Sequence, residues 1–221
     1  MTSKNSNTTG TGQTNKTSLI GVANEYHALG ISVIPVNEFK IPIGKWKVST
    51  ERLIPPNEQY GFKQNYQGLG IICGAVSGNA EMIDIDCKYD LTGTLFEDYK
   101  NSIAEVDKEL LKKLVIQKTL NAGYHFIYRC ETIEGNQKLA SRPATEDEKK
   151  NKKEKFKVLI ETRGEGGYFI CAPSKGYEVI QGSFDNIPTI TPEERNTLLN
   201  CARTFNQVIE PITKPLCTES A

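Results

Sequence analysis

The strongest constraint in the sequence is a short apolar run that carries two carboxylates, residues 81–86 (EMIDID). The alternation predicts a β-strand in which Ile83 and Ile85 face a core, while Asp84 and Asp86 share the opposite face. Two carboxylates on one stiff strand repel each other unless a cation lies between them, and hard divalent ions such as Mg²⁺ prefer oxygen ligands. The pattern therefore predicts a metal-binding strand, and a strand that simply ends in a polar loop is the alternative.

The composition is typical of one soluble globular domain. The chain has 221 residues, 38% of them hydrophobic, which is enough for one sizeable core. Lys plus Arg and Asp plus Glu number 27 each, so nucleic-acid contact requires a local basic patch. The six cysteines show no C-x-x-C spacing, which favours free thiols in a reducing cytosol over a structural zinc site. No signal region or membrane-spanning apolar run is found, and a cytoplasmic location is predicted.

Four segments follow from the patterning along the chain. Residues 1–17 contain almost nothing to bury and are expected to be a disordered leader. Residues 18–190 alternate helical and strand patterns and form the main domain. Residues 191–210 are predicted to be a helix that opens with a capping box, and residues 211–221 a tail or linker to a further domain.

The main domain is predicted to open with a helix capped by Ser18 and ended by Gly30. One or two helices are expected in residues 95–114. The strands around 68–74 and 81–86 are expected to form a hairpin, and the lysine-rich stretch 142–155 an exposed loop, with a nucleic-acid contact as the alternative. Further strand patterns occupy residues 31–36, 115–119, 124–129, 156–163 and 168–172.

Polar side chains on these strands and one loop are candidates for a functional site. His125 lies on a strand, where an isolated histidine is usually structural unless its neighbours supply a role. Glu161 and Arg163 share a strand face, and Lys40 and Lys45 lie in a loop where they either meet an anion or are solvated. With the acidic strand, this inventory suits phosphoryl transfer, which requires carboxylates to hold two metal ions about 4 Å apart and cationic groups to hold a triphosphate.

The order of these motifs along residues 20 to 182 is specific. Residues 28–36 with Lys40 and Pro42 form a helix, strand and Lys-x-Pro loop, and residues 70–78 a glycine-rich connection. Three further motifs follow at residues 82–86, 119–125 and 161–174. The set resembles the N-terminal bifunctional DNA primase/polymerase (Prim-Pol) domain of the archaeo-eukaryotic primase superfamily, in which the last three are the catalytic motifs.

The resemblance implies an α+β primase-polymerase fold, with an RRM-like sheet that carries the catalytic motifs packed against a smaller N-terminal α/β module. It implies template-directed attack of a 3′-hydroxyl on the α-phosphate of a dNTP or NTP, with Mg²⁺ or Mn²⁺ as cofactor. The implied partners are a single-stranded DNA template and a primer. Such modules are often joined to a helicase on plasmids, phages or other mobile elements, so a helicase domain or subunit is a further implied partner.

The resemblance also assigns roles to individual residues of the cleft. The implied catalytic residues are Asp84, Asp86, Glu161 and His125, of which the three carboxylates are the metal ligands. The implied nucleotide-binding residues are His125, Arg163, Lys40 and Gly123.

Three positions depart from the usual pattern of the family. Glu161 stands where Asp is usual, and glutamate also binds hard cations, although its extra methylene moves the oxygens by about one bond length. Asn121 and Ala122 stand where Ser and Gly are typical, and Ala122 is expected to tighten the turn, while backbone contacts through Gly123 remain.

Two other functions remain open at this point. A non-catalytic single-strand or origin-binding module would keep the fold and bind DNA in a salt-sensitive way. A metal-dependent nuclease would use the same acidic cluster, but His27 and His125 are the only histidines, so the usual hydrolytic arrangements lack a second histidine near the cluster.

Overall fold

The computed structural model describes residues 18–152 and 154–208, so the predicted leader and tail lie outside the described residues. The helices are α1 (Leu19–Ala28), α2 (Leu95–Val106), α3 (Lys108–Lys113), α4 (Glu146–Lys152) and α5 (Pro192–Arg203). The strands are β1 (Val33–Val36), β2 (Gly68–Ile72), β3 (Ala80–Ile85), β4 (Val115–Lys118), β5 (Tyr124–Cys130), β6 (Lys138–Pro143), β7 (Phe156–Arg163), β8 (Tyr168–Cys171), β9 (Glu178–Gln181) and β10 (Thr189–Ile190). The predicted α+β class is confirmed.

A large sheet organises the molecule, with strand order β6-β7-β3-β5-β4-β9 and every neighbouring pair antiparallel. The short β10 adds a parallel pairing to β5. Its four central strands, β7-β3-β5-β4, have α2 and α3 in the connection between β3 and β4, which is compatible with the predicted RRM-like sheet. The acidic strand β3 therefore lies near the middle of the sheet, where neighbours on both sides fix its register.

Helices α2, α3 and α5 cover one face of the large sheet. The spacing of three and four residues in α2 places Leu95, Tyr99 and Ile103 on one buried stripe. These side chains pack with Ile83 and Ile85, which point to this face as predicted. A fully buried side chain of this size contributes about 1.5–3 kcal/mol, so the helical layer is a main source of stability.

Helix α5 is stabilised by a capping box at its start and by an ion pair with the large sheet further along. The predicted capping box is present: Thr191 accepts a hydrogen bond from the Glu194 amide, and Glu194 accepts one from the Thr191 amide. Further along, Arg195 donates to both oxygens of Glu81 on β3, at 2.6 and 2.8 Å. Tyr128 also donates to Glu81, at 2.7 Å, and the Glu81 side chain is completely buried. This network joins α5 to the centre of the sheet.

A second, three-stranded sheet has the order β1-β2-β8 and is antiparallel throughout. Helix α1 packs on it, and its strands share a core with Met82, Val115 and Ile127 on the second face of the large sheet. The chain reaches β8 directly from β7 through the turn at 164–167. A Cβ on Gly164 would lie 1.9 Å from the Glu134 carbonyl oxygen, so this turn requires glycine there. The two sheets therefore meet where the third motif lies.

The predicted hairpin between residues 68–74 and 81–86 is wrong. Strands β2 and β3 belong to different sheets, and an isolated bridge between Gly74 and Ala80 is the pairing that joins their ends. The intervening turn begins at Gly74 with φ 105° and ends at Gly78 with φ 67°, and both conformations suit glycine. This turn redirects the chain from one sheet to the other.

The stretch 142–155 is also not the exposed loop that its charge predicted. It contains the end of β6 and all of α4. Arg142 is buried and donates to both oxygens of Glu148 at 2.8 Å, so part of the charge forms an internal ion pair. At the C-terminal end, α5 stops at Arg203 and not at residue 210.

Two further sequence predictions concern the state of the cysteines and the presence of membrane-spanning segments. The five cysteines in the described residues are free thiols, four of them buried and Cys87 partly exposed. Within residues 18–152 and 154–208, no helix has the length and apolar character needed to cross a membrane.

Candidate active site

Four adjacent strands place polar side chains in one row across the large sheet. Asp84 on β3 is directly opposite Glu161 on β7 and directly opposite His125 on β5. His125 is in turn opposite Gln117 on β4. Directly opposite residues of an antiparallel pair point to the same face, so the row reads Glu161, Asp84, His125, Gln117. The register thus brings together Asp84, His125 and Glu161, which are distant in the sequence.

Asp84 is the centre of this row. Its side chain is 26% exposed, and its pKa is raised to about 7 by burial first, and then by the negative charges of Asp86 and Glu161. Arg163 and Lys88 act in the opposite direction but do not compensate. An ionised Asp84 is therefore poorly solvated and repelled by its acidic neighbours, which is the situation that a bound divalent cation would correct.

The other two carboxylates are paired with cations of their own. Asp86 lies one residue beyond the end of β3, and its Oδ2 is 2.8 Å from the Lys88 Nζ. Glu161 forms an ion pair with Arg163 two residues away on the same strand. In the described part of the chain, no group of three or more His, Cys, Asp or Glu side chains converges closely enough to hold a metal ion. Asp86 and Glu161 are thus each paired with a cation of the chain itself.

His125 is almost completely buried, with its Nε2 3.6 Å from the Asp84 Oδ1 and its Nδ1 2.7 Å from the Gln117 Nε2. Its ring packs edge-on against Phe169 at a centroid distance of 5.5 Å. Burial, and then the positive charges of Lys40 and Arg163, lower its pKa to about 3. The imidazole is therefore neutral near pH 7 and can donate one N–H bond.

The row opens into a cavity of about 360 Å³ between the two sheets. Asp84, His125, Arg163 and Lys40 all line it, so the structure brings these four predicted residues together. The positive-φ residue Lys40 (φ 66°) places its Nζ 5.6 Å from the centre of the Tyr177 ring. The volume lies within the range of small-molecule sites, about 300–1,000 Å³.

Not every predicted residue lines this cavity; those that do not are Asp86, Glu161, Gly123 and Lys45. Gly123 lies at the end of the β4–β5 turn, where a Cβ would come 2.6 Å from the Ile85 carbonyl oxygen. Its lack of a side chain thus permits the turn to pack on the end of β3, beside Asp86. Lys45 lines a separate cavity of about 240 Å³ on the far side of Trp46.

Sequence reasoning missed several residues of the cavity. Trp46 lies between the two cavities and contacts Tyr168 edge-on at 5.2 Å, and Asn136 and Tyr177 complete the wall. Gln117 was missed as well, although a glutamine inside the apolar strand pattern at 115–119 is a detectable signal. The loop residues carry no such signal because their positions depend on how the two sheets pack.

A family model matches most of the chain. The family model described as "Bifunctional DNA primase/polymerase, N-terminal" matches residues 23–194. A search of curated proteins found no match.

Proposed function

The chain belongs to the bifunctional DNA primase/polymerase N-terminal family, and from this premise we propose that it starts or extends a DNA primer by metal-dependent nucleotidyl transfer. The single observation that carries the proposal is the position of Asp84. It lies between Glu161 and His125 in one row, faces a cavity, and has a pKa raised first by burial and then by two neighbouring carboxylates. A purely structural strand has no use for a carboxyl group whose ionisation its surroundings oppose, so such a group facing a cavity favours a functional role.

In this proposal Asp84, Asp86 and Glu161 hold Mg²⁺ or Mn²⁺. Their oxygens are the donors that these hard cations prefer, and Glu161, which is directly opposite Asp84, would leave Arg163 to share a cation with Asp84. When bound, the two ions would lower the charge of the triphosphate and activate the 3′-hydroxyl. The carboxylates of the chain fix where those charges lie relative to the nucleotide.

The nucleotide is proposed to lie against His125, Arg163 and Lys40, with Gly123 close to the phosphates through its backbone. Arg163 would exchange Glu161 for a phosphate, so that one conformational step frees both a carboxylate for the metals and a guanidinium for the triphosphate. Lys40 already lies at the cavity wall beside Tyr177. Arg163 and Lys40 thus provide positive charge at the cavity wall.

The family implies DNA and nucleotide substrates. We further propose that the DNA substrates are a single-stranded template and a primer, and that residues 18–190 form the catalytic unit. A helicase domain or subunit is the proposed partner, and the cytoplasm is the proposed location. Replication of a plasmid or other mobile element is the proposed setting. The ordered motifs and the agreement of the match with most of that unit support this proposal.

One observation favours a second candidate, a single-strand or origin-binding module of the same fold. Asp86 and Glu161 each pair with their own cation, and Ala122 occupies the positive-φ position where the family pattern has glycine. A chain that had lost turnover would retain this arrangement. It would bind DNA without responding to substitution of Asp84.

A primer-extension assay separates the two candidates. The chain is incubated with a labelled primer on a longer template, dNTPs and Mn²⁺ or Mg²⁺, beside Asp84→Ala and the control Glu105→Ala. Glu105 is an exposed acid on α2, on the opposite face of the sheet. Extension by the parent chain and the control, but not by Asp84→Ala, supports the polymerase. Template binding without extension by any of the three supports the binding module, and shortening of the DNA would indicate a nuclease.

A further inference from the structure

Gln117 occupies the fourth place in the row and is completely buried. Its side-chain amide makes three hydrogen bonds. The Oε1 accepts from the Ala172 amide at 3.0 Å, the Nε2 donates to the Ile170 carbonyl at 2.7 Å, and the same Nε2 lies 2.7 Å from the His125 Nδ1.

The polarity of these bonds is determined by the backbone of the chain around β8. A backbone N–H can only donate, so the atom facing Ala172 must be the amide oxygen. A backbone carbonyl can only accept, so the atom facing Ile170 must be the amide nitrogen. The second N–H of that nitrogen then points at the Nδ1 of His125, because the amide is planar and has no other orientation that satisfies both backbone groups.

This arrangement decides which ring nitrogen of His125 carries the proton. An Nδ1 that accepts from Gln117 is unprotonated, so the single proton of the imidazole lies on Nε2. A doubly protonated ring would place two N–H groups against each other at 2.7 Å. The Nε2, which faces Asp84 and the cavity, is therefore a fixed hydrogen-bond donor.

We propose that Gln117 is a positioning residue that holds His125 in the Nε2–H tautomer and aims this N–H into the cavity. This role deepens the proposed function and rests on it, since the acceptor of the N–H would be a phosphate oxygen of the incoming nucleotide. The tautomer itself follows from the hydrogen bonds alone. Gln117 also joins β4 to β8, so the small sheet determines the orientation of a side chain in the large one.

The first test is the tautomer in the unaltered 221-residue chain. Histidine labelled with ¹⁵N is observed in a long-range ¹H–¹⁵N correlation spectrum at pH 7 with EDTA, where protonated and unprotonated ring nitrogens resonate far apart. The chain has two histidines, so His27 supplies the second imidazole as an internal reference. We expect His125 to show a protonated Nε2 and an unprotonated Nδ1. A protonated Nδ1, with or without a protonated Nε2, overturns the proposal without need of any variant.

Gln117→Glu and Gln117→Met test the consequence for the nucleotide. An ionised glutamate oxygen at this place can only accept, so it favours a protonated Nδ1, whereas methionine leaves the tautomer unconstrained. We expect kcat/KM for the nucleotide to fall about 10- to 100-fold in both variants, as for other residues that orient a functional histidine, with the Kd for primer-template unchanged. If kcat/KM is unchanged in a variant in which the His125 tautomer has changed, the proposed role of Gln117 is overturned.

Gln181→Met is the matched control. Gln181 is also a glutamine that ties a strand to neighbouring backbone, since its Nε2 donates to the carbonyls of Leu111 and Leu114 at 2.9 and 2.8 Å. Its loss should lower the melting temperature and leave both the His125 tautomer and the nucleotide dependence unchanged. An equal loss of kcat/KM in Gln181→Met would mean that the effect at Gln117 is general loosening of the sheet. A parent chain that extends no primer refutes the proposed function, while the spectrum still reports the tautomer.

Discussion

Replacement of Asp84 by asparagine should make the metal-free protein more stable at high pH. Burial and the charges of Asp86 and Glu161 raise the pKa of Asp84 from 3.8 to about 7. A raised pKa means that the folded state holds the proton more tightly than the unfolded state, so this contribution to stability is present in acid and is lost as the pH rises through 7. Asparagine has the same shape and no charge at any pH.

The expected magnitude follows from the two pKa values. Each pH unit between them corresponds to about 1.4 kcal/mol, so the full difference is at most about 4 kcal/mol, and solvent that reaches the exposed quarter of the side chain reduces it. The gap in unfolding free energy between Asp84→Asn and the parent should therefore grow by about 2–3 kcal/mol from pH 5 to pH 8. It should be constant above the pKa, because the parent is then fully ionised.

Urea unfolding in EDTA at several pH values measures this gap. The lowered pKa of His125 changes stability in the opposite sense below pH 6.5; both proteins retain that histidine, so only the part of its effect that depends on the neighbouring Asp84 charge enters the difference. The control Glu105→Gln removes an exposed acid and should show no pH-dependent gap. Added Mn²⁺ should raise the stability of the parent at pH 8 and not that of Asp84→Asn. A gap that does not depend on pH, or a variant less stable than the parent at pH 8, would refute the reasoning.

Three further changes give distinct outcomes. Glu161→Ala should abolish both primer extension and stabilisation by Mn²⁺, whereas Glu161→Asp should retain extension. Gel assays measure the extension, and thermal melts in Mn²⁺ measure the stabilisation. Ala122→Gly should raise the free energy of unfolding by about 1 kcal/mol, because the backbone angle φ of 59° strains a residue that has a Cβ. A urea midpoint below that of the parent would contradict this. Arg195→Met leaves the buried Glu81 carboxylate without its main partner and should lower the free energy of unfolding by about 3–5 kcal/mol. The double variant Arg195→Met with Glu81→Gln should recover much of the lost melting temperature. A single variant that melts like the parent would be inconsistent with this role.

Strongly periodic segments were predictable because local geometry decides them. The helix capped by Ser18, the stripe of α2 and the strands β5 and β7 follow from spacing alone. Alternation on β3 also placed Ile83 and Ile85 toward the core, and so directed Asp84 to the opposite face. The candidate site could be anticipated to the same extent, since its strand residues lie on faces that the alternation defines.

Pairing partners could not be read from the same patterns. A glycine-bounded strand followed by a turn looks like half of a hairpin, yet β2 pairs with β1 and β8 because the turn at 74–78 leads into another sheet. The charge of residues 142–155 concealed the end of β6 and all of α4, because the pairing of Arg142 with Glu148 is a tertiary feature that spacing does not reveal. Gln117 had a recognisable sequence signal but no recognisable role, since its three bonds join segments that lie far apart in the chain.

The small sheet has a consequence for synthesis on the ribosome. Leu69 of β2 pairs with Cys171 of β8, which is made 102 residues later. At about 5–20 residues per second, the nascent chain carries an unpaired β2 edge for about 5–20 s. The turn that finally brings β8 into place directly follows Glu161 and Arg163 on β7. Completion of the row by Glu161 and closure of the exposed edge by β8 are therefore consecutive late events, and a chain released before residue 161 would have neither.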